Sequence, residues 1–381
     1  MYIERKLKNE VKETIINSNK INILFGARQV GKTTFLNKLI KSLSYKQLSI
    51  NGDEIRYNSI LSSRDLSKLK LLVSGFDLLF IDEAQRIPDI GINLKILHDQ
   101  IPNLKIIVSG SSSFELANNR KEPLTGRTIT YTLYPLSIEE ILNTQSPNEI
   151  NARLEEFLIF GQYPEVLCFD NMINKEKLLN ELSSSYLYRD VLELSNIKNP
   201  DKLRKLLKLL AFQIGNEVSV HELGKKLSLS SETIISYLDL LEKSFVIFRL
   251  GGFAKNLRKE ITKKQKIYFY DLGIRNSIIN NFNGIEDRND LGQLWENFIV
   301  VERMKYNSNK NYTPNYYFWR LYSGAEIDFV EEKNGKLKGY EIKYNKSNIK
   351  HHKIWTDTYS DSTIEIVNKE NYFQFITDLK I

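Results

Sequence analysis

Residues Gly26-Ala27-Arg28-Gln29-Val30-Gly31-Lys32-Thr33 fall into the pattern G-x-x-x-x-G-K-[ST]. The glycines let backbone N–H groups turn inward around a β-phosphate, which also meets the positive end of the helix that follows. Lys32 adds charge at the β- and γ-phosphates, the Thr33 hydroxyl is a magnesium ligand, and Thr34 closes the nucleotide-binding stretch. ATP and Mg²⁺ are the cofactors this implies. Farther on, Leu78-Leu79-Phe80-Ile81-Asp82-Glu83 is an apolar run ending in two carboxylates. Asp82 suits a magnesium ion held through water, and Glu83 suits polarisation of the water that attacks the γ-phosphate. Read alone, the loop is also a chance strand-turn-helix and the acids an ordinary strand end. In this order and context the two segments point to nucleoside triphosphate hydrolysis.

A second constellation lies near the C-terminus. Ala325-Glu326-Ile327-Asp328-Phe329-Val330 alternates like a half-buried strand, and the chain returns as Tyr340-Glu341-Ile342-Lys343-Tyr344. Glu341 and Lys343 then share one face, and a neighbouring strand can bring Asp328 beside them. Asp328 followed by Glu341-x-Lys343 resembles the restriction-endonuclease pattern. Two carboxylates hold Mg²⁺ in such a site and the lysine orients or activates water. Glu296, in the apolar helical run Leu294 to Val301, resembles the helical acid that completes it. The alternative is a vestigial fold, or two strands that happen to carry charged residues.

These groups need elements to position them. Ile21 to Phe25 reads as a buried strand and Thr33 to Lys41 as a helix with Phe35, Leu36, Leu39 and Ile40 on its apolar side. Further strands are expected at Gln47 to Ile50, Asp77 to Ile81, Lys105 to Ser109 and Thr128 to Leu133, with helices between most of them, hence a parallel sheet covered on both faces. Beyond Tyr134-Pro135 the pattern turns helical, with Ser137 capping Ile138 to Asn143 and another helix over Ala152 to Phe160. Thr144 to Ile150, Ser195 to Lys202 and Asn280 to Asp290 read as joints.

Leu203 to Ile214, Val220 to Leu227 and Ser230 to Ser244 read as three helices joined by a tight Ser-Leu-Ser turn. Two strand-like segments follow, Phe245 to Leu250 and Lys266 to Tyr270, enclosing Lys255, Arg258, Lys259, Lys263 and Lys264. That is the pattern of a winged helix with a basic wing. Such a wing suits phosphate contacts with little sequence preference. The third helix carries Glu232, Asp239 and Glu242 and offers few donors to base edges. A structural or protein-docking use of the same module is the alternative.

The 381 residues are too many for one ordinary core, so several domains are expected. The apolar share of 41% is that of a folded protein. A net charge of +7 and a pI near 9.0 fit nucleic acid as a partner and equally fit a lysine-rich protein without one. The lone Cys168 excludes an internal disulfide framework, and the four histidines lack zinc-site spacing. The first twenty residues are charged throughout, without the apolar core of a signal peptide, and no apolar run approaches the roughly 20 residues that span a bilayer. A cytoplasmic protein with no membrane partner is expected.

With GARQVGKTT, LLFIDEAQ, VSGSSSFEL, LTGR and YPLS in this order, the chain resembles the prokaryotic AAA-type ATPases that carry a conserved C-terminal domain of unknown function. The resemblance continues through Phe160-Gly161-Gln162-Tyr163-Pro164-Glu165 and Tyr186-Leu187-Tyr188-Arg189-Asp190. The family usually has a second glycine where this chain has Gln162. Val108-Ser109-Gly110-Ser111-Ser112 ends the next strand and puts small hydroxyl residues at the same sheet edge, where Ser111 is the candidate γ-phosphate sensor, although Ser and Gly clusters are also common turns. The resemblance makes Arg127, just before the strand Thr128 to Leu133, a candidate arginine finger acting in a neighbouring copy and hence in a homo-oligomer. A solvated surface arginine is the alternative.

The fold class expected is α/β: a P-loop NTPase parallel sheet over 1–136, a helical lid over 137–197, a winged helix over 198–275 and a restriction-endonuclease-like α/β domain over 276–381. The expected function is ATP hydrolysis whose nucleotide state controls a DNA-binding C-terminal half with a candidate cleavage site. The alternative is a nucleotide-dependent switch that docks a protein partner and cuts nothing.

Overall fold

The computed structural model describes residues 2–111, 124–186, 199–254, 265–321, 325–345 and 352–379. Ser112, the wing residues Lys255, Arg258, Lys259, Lys263 and Lys264, and the Leu187-Tyr188-Arg189-Asp190 stretch lie outside them. The chain divides into two units. One holds Tyr2–Pro135 with Lys243–Phe245, and the other holds most of the chain from Leu136 onward.

In the first unit, β1 (Ile21–Phe25), β2 (Gln47–Asn51), β3 (Leu78–Asp82), β4 (Lys105–Gly110) and β5 (Thr128–Thr132) form one all-parallel sheet in the order β2-β3-β4-β1-β5. β1 and β3 are buried at every position. Their near-continuous apolar runs, without alternation, are what strands covered on both faces require. β2 and β5 close the two edges and carry partly exposed residues. Pairing of Phe25 with Gly110 and of Ile81 with Val108 brings the C-terminal ends of β1, β3 and β4 to one edge, where ligands bind on open α/β sheets. The fold class read from the sequence therefore holds for this sheet, and its strand boundaries agree within about one residue.

The second unit contains a seven-stranded mixed sheet, β12-β11-β10-β9-β7-β8-β6. Its strands are β6 (Glu217–Val218), β7 (Ile247–Gly252), β8 (Gln265–Phe269), β9 (Asn315–Arg320), β10 (Glu326–Lys333), β11 (Lys336–Ile342) and β12 (Thr363–Val367). The strands read as a winged helix and those read as endonuclease-like thus belong to a single sheet. The seam is a short parallel pairing of β7 with β9 at Gly251–Tyr317 and Gly252–Phe318. The three helices expected before β7 are present as Pro200–Phe212, Val220–Leu227 and Ser231–Lys243, the second capped by the Ser219 hydroxyl.

Two segments read as joints are ordered by local chemistry. Ser146 and Glu149 form a capping box with Pro147 at the first helical position, which starts a helix over Pro147–Ala152. Arg288, at the end of the Asn280 to Asp290 stretch, has a buried side chain paired with Asp290, which also holds Arg275. Gly161 takes φ +68, and a Cβ there would collide with the Asp271 carboxylate. Gln162 takes no positive φ, so its side chain costs that turn nothing. Among the described residues, no helix is long and apolar enough to cross a membrane.

Candidate functional site

The loop from Gly26 to Gly31 joins β1 to the helix Lys32–Lys41. Gly26 takes φ +156 and Gly31 φ +93, and a Cβ on Gly26 would lie 2.3 Å from the Leu133 carbonyl oxygen. Only glycine fits that approach. The Lys32 side chain, 4% exposed, donates from Nζ to the carbonyls of Gly26 and Ala27, both at 2.9 Å. Its ammonium is therefore held over the loop by main-chain oxygens.

Across the sheet edge, the Thr33 hydroxyl donates to Asp82 Oδ2 at 2.7 Å. Ser109 Oγ, at the end of β4, donates to Asp82 Oδ1 and accepts from the Glu83 N–H at 3.3 Å. Glu83 is left-handed at φ 51, which turns the chain off β3 as soon as the acids have passed. Gln85 Nε2 then donates both to Glu83 Oε2 and to Ser111 Oγ, the latter at 2.9 Å. Lys32, Thr33, Asp82, Glu83 and Ser111 are thus brought to one edge, linked by Ser109 and Gln85.

Arg127 is not among them. Its carbonyl accepts from the Ile21 N–H, so it stands at the start of β5 and at the opposite edge of the sheet. At about 3.3 Å per residue, the length of β1 separates it from the phosphate loop. Its guanidinium makes a bidentate pair with Asp99, Nε to Oδ1 at 2.8 Å and Nη2 to Oδ2 at 3.0 Å. Hydrogen bonds from Arg127 and His98 pull the Asp99 carboxyl down to about 2.

In the second unit, Asp328 and Lys343 meet: Lys343 Nζ donates to Asp328 Oδ2 at 2.8 Å, as does the Ile342 N–H at 2.9 Å. β10 and β11 are antiparallel, and one step beyond the Phe329–Tyr340 pair places Asp328 opposite Glu341. An irregularity in β10 between Ile327 and Val330 puts both of those side chains into the apolar cluster around Trp319 and Trp355. It leaves Asp328 on the other face. Glu296, on the helix Leu291–Asn309, accepts at Oε1 from the Tyr268 hydroxyl (2.6 Å) and from Lys266 Nζ (3.0 Å). Lys266, on β8, also pairs with Glu326 Oε1 at 2.7 Å and stands 4.0 Å from Asp328 Oδ1.

Three family models match successive parts of the chain. The AAA domain matches residues 18–142, a domain of unknown function (DUF8612) residues 151–284, and a second (DUF4143) residues 291–375. The chain is a prokaryotic AAA-type P-loop ATPase with a C-terminal domain of unknown function. This AAA-type ATPase is 27% identical to the uncharacterized protein MJ1544 of Methanocaldococcus jannaschii over 346 residues, 85% of its own length and 75% of the relative's. It is also 27% identical to the uncharacterized protein Rv2008c of Mycobacterium tuberculosis over 352 residues, 90% of its own length and 74% of the relative's. A Walker-type ATPase of Pyrococcus abyssi aligns with TM-score 0.48 and 16% identity, covering 73% of this chain and 96% of the other.

The oxygens of the ATPase core fit a magnesium ion, since the Thr33 hydroxyl and the Asp82 carboxylate are hard donors already in contact. The C-terminal acids fit one poorly. Among the described residues no three acidic, histidine or cysteine side chains gather as a metal site, and Glu296, Glu326 and Asp328 converge on the Lys266 ammonium. Burial opposes charge on Lys266, but Glu296, Asp328 and Glu326 outweigh it and hold the amine above the ordinary lysine range. Burial raises Glu296 in turn. Sequence reasoning did not single out Lys266, Gln85 or the Ser109 contact to Asp82. Only the strand order β3-β4 marks Ser109, as the residue beside the acid.

Proposed function

We propose that this chain hydrolyses ATP at the edge formed by Gly26 to Thr34, Asp82, Glu83 and Ser111, and that the nucleotide state controls its C-terminal half. The observation that carries the reading is the continuous path from Thr33 through Asp82 and Ser109 to Glu83. Gly26, Ala27, Arg28, Gln29, Val30 and Gly31 offer main-chain N–H groups to the phosphates, and Lys32 brings its ammonium to the same place. Thr33, and Asp82 through water, would hold a magnesium ion, which when bound would neutralise charge developing on the phosphates. Glu83 takes a proton from the attacking water, and Ser111, tied to Glu83 through Gln85, reports on the γ-phosphate. Arg127, at the opposite edge of the sheet and paired with Asp99, can serve this site only in trans, from a neighbouring copy. The working division is 1–136, 137–197, 198–275 and 276–381, the last two sharing one seven-stranded sheet.

For the C-terminal half, DNA binding is supported by the net charge of +7 and by the basic residues between β7 and β8. It is also supported by the pairing of Asp239 and Glu242 with Arg249, which offsets one of the two negative charges on that face of the helix Ser231–Lys243. The second reading, a nucleotide-dependent switch that docks a protein and cuts nothing, is favoured by Lys266 among the acids. An ATPase assay on wild type and Glu83→Gln, with and without double-stranded DNA, tests both. Turnover that needs Glu83 and rises with DNA supports the first reading. Turnover indifferent to DNA supports the second, and turnover unchanged in Glu83→Gln overturns the ATP-site assignment.

A further inference from the structure

We infer that Lys266 is the resident cation of the C-terminal carboxylate pocket, a tethered ammonium standing where a divalent ion would bridge Glu296 and Asp328, so that this domain holds no catalytic metal. The inference does not depend on the ATP site.

An ammonium has three N–H donors, and here two of them reach Glu296 at 3.0 Å and Glu326 at 2.7 Å. Asp328 lies 4.0 Å away, close enough for Coulomb attraction. A Mg²⁺ ion draws its oxygens in to about 2.0–2.1 Å. The contacts of 3.0 and 2.7 Å are those of an ammonium donating hydrogen bonds, longer than metal–oxygen bonds. The lysine is also fixed: its side chain is 3% exposed, and its backbone pairs with Leu250 of β7 and Glu217 of β6. The Phe318 ring lies 5.6 Å from the ammonium.

The contacts of Lys343, Asp328 and Glu296 agree with this assignment. Lys343, which in the endonuclease reading orients water, gives one of its three N–H donors to Asp328 Oδ2. Asp328 Oδ2 also takes the Ile342 N–H, so one oxygen of the central acid is saturated by protein. Glu296 Oε1 likewise carries two donors, from Lys266 and Tyr268. A metal ion entering here has to sit beside, or displace, a buried ammonium, which costs more than filling an open site does.

The experiment uses the full chain without nucleotide and Mn²⁺ as the probe, followed by loss of the free-ion electron spin resonance signal. Wild type is expected to bind no Mn²⁺ that depends on Asp328. Lys266→Met is expected to take up one equivalent per chain, lost again when Asp328→Asn is added. If Lys266→Met does not fold, Lys266→Met with Glu326→Gln removes one negative charge alongside the positive one and answers the same question. Should neither fold while Lys266→Arg folds and binds no Mn²⁺, the need for a fixed positive charge at this point supports the assignment. Two results overturn it: wild-type Mn²⁺ binding or Mn²⁺-dependent DNA cleavage that disappears in Asp328→Asn, or a folded Lys266→Met protein that takes up no Mn²⁺.

Discussion

The Thr33 hydroxyl donates a 2.7 Å hydrogen bond to Asp82, a residue 49 positions later in the chain. Two oxygens of the kind that ligate magnesium are thus held in contact by strand order alone, because β3 ends at the same sheet edge where β1 passes into the phosphate loop. Lys32→Ala should abolish nucleotide binding, since it removes the charge held over that loop. Glu83→Gln keeps the shape and loses the proton acceptor, so it should bind nucleotide normally while phosphate release falls by about 10² to 10⁴. Fluorescent-nucleotide titration and a phosphate-release assay, run side by side, separate the two. Equal turnover in all three proteins sinks the assignment.

Ser109→Ala tests whether the orientation of Asp82 matters beyond its presence. The hydroxyl bridges Asp82 Oδ1 and the Glu83 N–H, so its loss frees the carboxylate to rotate and leaves a buried N–H without that acceptor. Residues that orient metal ligands typically contribute 10- to 100-fold. The Mg²⁺ concentration for half-maximal turnover should rise within that range, with nucleotide affinity in the absence of metal unchanged. A drop in turnover with an unmoved Mg²⁺ dependence would assign Ser109 to Glu83 instead.

How much of this was legible in the sequence depended on how local each feature is. The loop Gly26 to Thr33 and the strand ending in Asp82-Glu83 are contiguous motifs, and β1 and β3 announce themselves as buried runs. Ser109 and Gln85 are ordinary residues until β4 lies beside β3 and a left-handed Glu83 swings the following turn toward Ser111. Lys266 is hidden more deeply, since in the sequence it is only the first residue of the strand-like segment Lys266 to Tyr270, directly after a basic stretch. Only a sheet that brings β8 within reach of Glu326 and Asp328 makes that lysine a buried one. The helix Pro147–Ala152 is the opposite case: its capping box is local, yet polar composition and a proline make the same stretch read as a joint.

Arg127 offers a test with two distinguishable outcomes. As a finger reaching a neighbouring copy, Arg127→Ala should slow turnover by about 10³ or more. Mixing it with Glu83→Gln protein should restore activity, because one partner then supplies the base and the other the finger. As a surface partner of Asp99, the substitution should leave turnover alone and move only the acid titration. Asp99 is depressed to about 2, so whatever stability its charge contributes is complete above the unfolded carboxylate range and is lost as the pH falls toward 2. Carboxyl carbon shifts of Asp99 should titrate near 2 in wild type and at a higher pH in Arg127→Ala, where only His98 still lowers it.

The last prediction concerns the residues that follow β5. Lys305 Nζ, with its side chain 2% exposed, donates to Glu302 Oε1 at 2.8 Å, to the Leu136 carbonyl at 3.1 Å and to Gln162 Oε1 at 3.2 Å. Glu302 Oε2 accepts the Ile138 N–H at 2.6 Å, beside the Ser137 capping box. One buried ion pair on the helix Leu291–Asn309 therefore grips the main chain on both sides of Ser137, just after the strand that packs against the phosphate loop has ended. Truncating one partner leaves the other charged and buried, so Lys305→Met should destabilise the protein by about 3–5 kcal/mol in urea unfolding. The double variant Glu302→Gln, Lys305→Met removes both charges and should recover most of that loss. If these residues also transmit the nucleotide state, the double variant should stay folded and hydrolyse ATP while its response to a C-terminal ligand disappears. A single variant as stable as wild type would mean that the pair is solvated in solution and grips nothing.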